Sequence, residues 1–200
     1  MNWQQLLSLI VVRIKQVVGL YAFVLIPMWG MFFLNKVALF GLWNIFGIVP
    51  RALDVGSMIG VFASWTMHGN LSHLIGNTLT LLQILFLFGL FEQNAYRTII
   101  KLVVASGLVT WVLGSPSSIH IGASGLCFAM FGYMIGGALF ARRWGYLLAC
   151  IIMGTGYWLT IKQGLMPQPG VSFAAHFGGL CAGLLLGATS KHHYTSVSRH

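Results

Sequence analysis

Six apolar runs, at approximately residues 17–35, 71–91, 98–114, 124–141, 145–161 and 173–190, dictate what this chain can fold into. In hydrocarbon every backbone N–H and C=O must find its partner inside the protein, so runs of this length fold as membrane helices. Of the 200 residues, 58% are hydrophobic and only 6% charged; a soluble domain carries about a quarter charged residues. The expectation is an all-α membrane protein: one domain over residues 1–200, built as a bundle of six transmembrane helices. Residues 36–60 are apolar and aromatic but broken by Asn44, Pro50 and Gly56, and read as an interfacial first outer loop with short helical pieces. Arg13 and Lys15 precede the first run with no small-residue cleavage site after it, which reads as an anchor rather than a removed signal.

The net charge of +9 excludes little by itself, but the basic residues stand at helix ends, with no basic run interleaved with aromatics. They read as topology signals whose partner is the lipid bilayer, not nucleic acid. An even number of spans puts both termini on one side. With the N-terminal segment 1–16 and the tail 191–200 in the cytoplasm, Arg13, Lys15, Arg97, Lys101, Arg142, Arg143, Lys191 and Arg199 fall inside, and Lys36, Arg51 and Lys162 outside. Eight against three favours that orientation, in a cell (inner) membrane, over the reverse. Cys127, Cys150 and Cys181 all lie within apolar runs and read as small buried hydrophobes.

The orientation has a chemical consequence. The second, fourth and sixth spans enter from the outer face, and each opens on polar residues: His73 and Asn77, Ser124, and His176. Ser124 lies between glycines in Gly122-Ala123-Ser124-Gly125, where the backbone is open to close approach. Below it, Phe128, Gly132 and Gly136 continue one i+4 row, and Gly183 and Gly187 continue another below His176. Small residues four apart let membrane helices pack closely, which would bring serine and histidine together. Polar groups within spans are costly and tend to mark function. Taken one by one, Ser124 could bond its own helix, and His73 and His176 could be satisfied core histidines; four at one depth point to a site.

Only two carboxylates, Asp54 and Glu92, occur in the chain, and the expected topology separates them. That excludes a carboxylate dyad and a His-Glu zinc protease, and leaves a serine with a histidine base. Ser124 then suits a nucleophile and His176 a general base, with His73, Asn77 and the Ser124 backbone N–H as donors to an oxyanion. His68 reads as an auxiliary residue near the mouth of the site, and His120 as a support for the loop before Ser124. Two other readings stay open at this point. One is a catalytically inactive protein that binds transmembrane segments; the other is a transporter or haem-binding bundle using His73 and His176.

Three motifs in order, His68-x4-His73-x3-Asn77, Gly122-Ala123-Ser124-Gly125 and Ala175-His176-x2-Gly179-x3-Gly183, resemble those of the rhomboid intramembrane serine proteases. The similarity covers roughly residues 48 to 187 and includes Val49-Pro50-Arg51 ahead of the first motif. The resemblance implies a six-helix rhomboid-like bundle holding a Ser-His dyad in a water-filled cavity below the outer surface. It implies cleavage of single-span membrane proteins in or near their transmembrane segment, without metal, cofactor or ATP. Carried over by position, Ser124 is the nucleophile, His176 the base, His73 and Asn77 oxyanion-binding, and His68 and Gly122 auxiliary. Some members have a tyrosine where this chain has Phe128, which keeps the ring for stacking on the base but lacks the hydroxyl. Some also carry a Trp-Arg pair in the first outer loop, about where Ile59-Gly60 stands here, which removes that anchor of the loop.

Overall fold

The computed structural model describes residues 2–156, 158–166 and 170–190. Among these, regular structure is helical: α1 (Trp3–Val37), α2 (Val55–Ala63), α3 (Leu71–Phe91), α4 (Ala95–Leu113), α5 (Ser124–Leu139), α6 (Trp144–Gly156), α7 (Trp158–Gly164) and α8 (Phe173–Ala188). The tail at 191–200, expected in the cytoplasm, lies outside the described residues. The bundle is rhomboid-like, with apolar helices at all six expected spans.

Side-chain caps set four of the helix starts. Asn2 and Gln5 form a reciprocal capping box, so α1 begins at Trp3 rather than near residue 17. Residues 3–16 are therefore the first turns of α1, continuous with the first expected span; Arg13 and Lys15 lower their hydropathy without interrupting the helix. Asp54 caps α2 by accepting from the Ser57 N–H, Asn70 caps α3 by accepting from the His73 N–H, and Ser172 caps α8 by accepting from the Ala175 N–H. Asp54 is thus committed to a helix cap in the first loop.

Length separates the helices into two classes. α1, α3 and α4 are each long and apolar enough to cross a membrane. The fifth expected span is divided into α6 and α7, which together pass the same test but differ in direction by 84°. α5 and α8 have 16 residues each; at 1.5 Å per residue each is about 24 Å long, against a hydrocarbon core of about 30 Å. α5 is central: its Leu126, Ala129, Met130, Tyr133 and Met134 belong to one buried cluster that also takes in Met28 of α1, Leu85 of α3, Leu102 of α4 and Ala149 of α6. Short helices sheltered by longer ones let a polar helix start sit below the level where the outer helices end.

α5 and α8 make the most extensive contact in the bundle. Gly132 and Gly136 face the backbone of α8 at Leu180 and Leu184, and Gly179, Gly183 and Gly187 face the backbone of α5 at Gly125, Ala129 and Tyr133. A Cβ at any of the five would collide with a facing carbonyl oxygen. The two glycine rows therefore bring backbone onto backbone, the small-residue packing that membranes favour.

The end of the bundle away from Ser124 is locked by a buried ion pair that the charge pattern concealed. Arg143, read above as one more topology signal, is only 8% exposed and donates from Nη1 to Glu92 Oε2 at 2.8 Å. Tyr133 of α5 and Tyr146 of α6 donate to the same carboxylate oxygen, and the Asn94 N–H donates to Oε1. Burial alone would raise the Glu92 carboxyl. The hydrogen bonds from Tyr146 and Asn94 and the Arg143 charge outweigh it and hold the group below its ordinary range.

Candidate active site

The segment leading into α5 is shaped by its attachments. The backbones of Ile48 and His120 exchange hydrogen bonds at 2.9 and 3.0 Å, and the Gly122 N–H donates to Ser64 O at 2.9 Å. Gly122 has φ +113°, a conformation L side chains rarely adopt, and a Cβ there would lie 2.7 Å from the His73 ring. Glycine is required at 122 for both reasons. The chain then turns directly into α5, whose first residue is Ser124 and whose N-terminus has no side-chain cap. The first amides of a helix have no intrahelical partner, so they are free to donate to a ligand.

His176 lies in the first turn of α8, and its Nε2 is 2.7 Å from Ser124 Oγ. Its Nδ1 is 2.6 Å from the carbonyl oxygen of Gly164, the last residue of α7. A carbonyl cannot donate, so Nδ1 carries the proton and Nε2 presents its lone pair to the Ser124 hydroxyl. That is the tautomer a base needs. Phe128, one turn below Ser124, stacks on the imidazole with centroids 4.5 Å apart and planes 22° apart.

His73 and Asn77, one turn apart on α3, close the facing wall. Asn77 Nδ2 donates to His68 Nε2 at 2.9 Å, which orients the amide, and the His68 and His73 rings meet edge to face at 5.0 Å. His68 lies in the turn before α3 and is 1% exposed; burial, then the neighbouring His73, push its pKa down to about 4. It is a neutral acceptor at any ordinary pH. Ser124, His176, His73, Asn77, Phe128 and Gly164 all line one open cavity of about 690 Å³. A serine hydroxyl already donating to an imidazole, with amide and imidazole donors across a cavity, is an arrangement suited to acyl transfer.

A protein-family model for the rhomboid domain matches residues 55–192. The chain belongs to the rhomboid family. This rhomboid is 29% identical over 143 residues to an uncharacterized protein of Mycobacterium leprae, covering 68% of this chain and 57% of that one. Uncharacterized proteins of Mycobacterium bovis and Mycobacterium tuberculosis are 30% identical over 146 residues, covering 68% of this chain and 60% of each relative. The chain thus spans about three fifths of the length of these relatives. No solved structure matches it.

In this rhomboid the first loop has anchors of its own in place of the Trp-Arg pair. Arg51 Nη2 donates to Gly114 O at 3.1 Å, Trp111 Nε1 donates to Ala52 O at 2.9 Å, and Ser57 Oγ donates to Val49 O at 2.7 Å. Gly60, within the dipeptide that replaces the pair, packs against the backbone of Gly47 and Ile48. Sequence reasoning missed two residues of the site. Gly164 acts through a carbonyl, which every residue type has, so no signal was available. Ser172 was findable: a serine just ahead of an apolar run is a helix N-cap, and it lies one turn before His176.

Proposed function

We propose that this rhomboid is an intramembrane serine endopeptidase using Ser124 and His176. The observation that carries the reading is the 2.7 Å contact from Ser124 Oγ to His176 Nε2, with Nδ1 committed to Gly164 O. Ser124 Oγ attacks the scissile carbonyl carbon while its proton passes to Nε2. The resulting imidazolium keeps its Nδ1–H on the Gly164 carbonyl, and Phe128 covers its face. The oxyanion takes donors from the Ser124 N–H, the His73 imidazole and the second Nδ2–H of Asn77. As the tetrahedral intermediate collapses, Nε2–H protonates the leaving amine, the C–N bond breaks and an ester remains on Ser124. Water then gives a proton to Nε2 and adds to the ester carbon. Collapse returns that proton to Oγ and releases the carboxylic acid.

The substrates we infer are single-span membrane proteins cut in or near their transmembrane segment. Asn70, Ser118, Gln163 and Ser172 contribute polar groups to the cavity lining, which suits water and an unwound peptide better than an intact helix. Positive charge supports a mouth facing outward. Among the described residues, Arg13, Lys15, Arg97, Lys101 and Arg142 are at the opposite end, against Lys36, Arg51 and Lys162 at the site end.

Purified protein should be labelled by a fluorophosphonate and should cleave a transmembrane model substrate. Ser124→Ala and His176→Ala should abolish both while the bundle stays folded. Cleavage by Ser124→Ala equal to that of wild type would overturn the reading.

A further inference from the structure

His120 is 9% exposed, and its ring joins the two halves of the site. Nε2 lies 2.9 Å from Ser118 Oγ, and Nδ1 lies 2.5 Å from Ser172 Oγ. The hydroxyl protons decide the direction of each bond. Ser118 Oγ donates its one proton to Ser115 O at 2.7 Å, so it accepts from His120 Nε2–H. His120 Nδ1 is then the acceptor, and the Ser172 hydroxyl donates to it. A lone pair of Ser172 Oγ accepts the Ala175 N–H at 3.1 Å, and the Ser172 carbonyl accepts the His176 N–H at 3.1 Å.

His120 stands four residues before Ser124, and Ser172 four residues before His176. Both pairs are separated by 52 positions, so the His120–Ser172 bond is a second rung beside the Ser124–His176 bond. Above these rungs the His120 backbone is held by Ile48; below them α5 and α8 meet through glycines. Among the described residues, the other side-chain hydrogen bond between the segment carrying Ser124 and the start of the helix carrying His176 is that of the reacting pair itself.

We propose that His120 is a positioning residue for the hydrolysis, setting the distance between Ser124 and His176 by tying the loop before α5 to the N-cap of α8. This rests on the serine-protease reading. It assigns His120 no contact with the reacting atoms. A displacement of about 1 Å between reacting groups costs up to about a hundredfold in rate, so the effect belongs in the chemical step.

The test compares wild type with His120→Phe, which fills the space without hydrogen bonds, and His120→Gln, whose amide presents one acceptor and one donor. Ser172→Ala and the His120→Phe/Ser172→Ala double variant complete the set. Fluorophosphonate labelling of Ser124, kcat and KM on a transmembrane substrate, and melting temperature are measured for each. His120→Phe should lower kcat and labelling about 10- to 100-fold with KM within about twofold, and His120→Gln should recover most of the loss. The double variant should be no slower than the slower single one, because both break the same rung. Labelling of His120→Phe at the wild-type rate, a loss that follows melting temperature alone, or multiplicative losses in the double variant would overturn the positioning role. If His120→Phe fails to fold, wild-type labelling and kcat in a folded Ser172→Ala would overturn it equally. A wild-type protein that neither labels nor cleaves would instead remove the protease reading beneath it.

Discussion

The carbonyl oxygen of Gly164 accepts from Nδ1 of His176 at 2.6 Å, at the position where a serine protease triad has its acid. A neutral acceptor orients the imidazole and fixes its tautomer, but it would supply only a dipole to the imidazolium that the proposed attack forms. The end of α7 and the start of α8 are therefore parts of one device, and whatever moves α7 moves the His176 ring.

Gly164 has little freedom to change. A Cβ there would lie 2.5 Å from the Phe128 ring and 3.2 Å from His176 Nδ1. Gly164→Ala should reduce fluorophosphonate labelling by about tenfold or more, and Gly164→Val further, with little change in melting temperature. Labelling at the wild-type rate in Gly164→Val would show that the carbonyl does not hold the base.

The helix contact below the site gives a stability prediction with an internal control. A Cβ on Gly183 would collide with the Ala129 carbonyl, whereas nothing lies within 4 Å of one on Gly154. Gly183→Ala should destabilise the detergent-solubilised protein by about 1–3 kcal/mol or prevent its folding. Gly154→Ala should be neutral or slightly stabilising, since alanine is the better helix former. Equal melting temperatures for the two variants would contradict the backbone-to-backbone packing.

At the far end, Arg143→Met leaves the Glu92 carboxylate buried without its counter-charge and should cost about 3–5 kcal/mol. The Arg143→Met/Glu92→Gln double variant should recover part of that loss, because no buried charge remains. Chemical denaturation of the three proteins in one detergent measures it; a double variant as unstable as the single would count against the pair.

His68 makes acid stability a readout of the site. Its native pKa is about 4, against about 6.5 in an unfolded chain. Between those values the unfolded chain binds the extra proton, so stability falls as pH drops from about 6.5 and levels off below about 4. The loss is at most about 3 kcal/mol. His68→Gln retains an acceptor for Asn77 and has no proton to bind, so its melting temperature should fall less over that window. Parallel pH profiles for the two proteins would exclude this role for His68.

Much of the site was legible because its side chains announce themselves. A glycine-flanked serine is common by chance in an apolar, glycine-rich chain, but polar histidines at the starts of two other spans are costly there, and span counting put all of them at one level. The glycine rows were legible for the same reason, since residues four apart must share a face. What was not legible depends on atoms that carry no residue identity or on partners distant in sequence. The Gly164 carbonyl is one case, and the Glu92–Arg143 pair, 51 residues apart, is another. Hydropathy also hid the start of α1, which a polar capping box sets, and the break between α6 and α7.

Sequence alone determined that this chain is a helical membrane bundle and which side chains stand at the mouths of its helices, because periodicity and hydropathy are properties of local chain. Only the tertiary structure decided how those side chains are oriented: which imidazole nitrogen carries the proton, which carbonyl receives it, and which second histidine braces the two helices. Hydrogen-bond direction depends on what lies across the gap, and the groups across these gaps come from segments that meet only when the bundle closes.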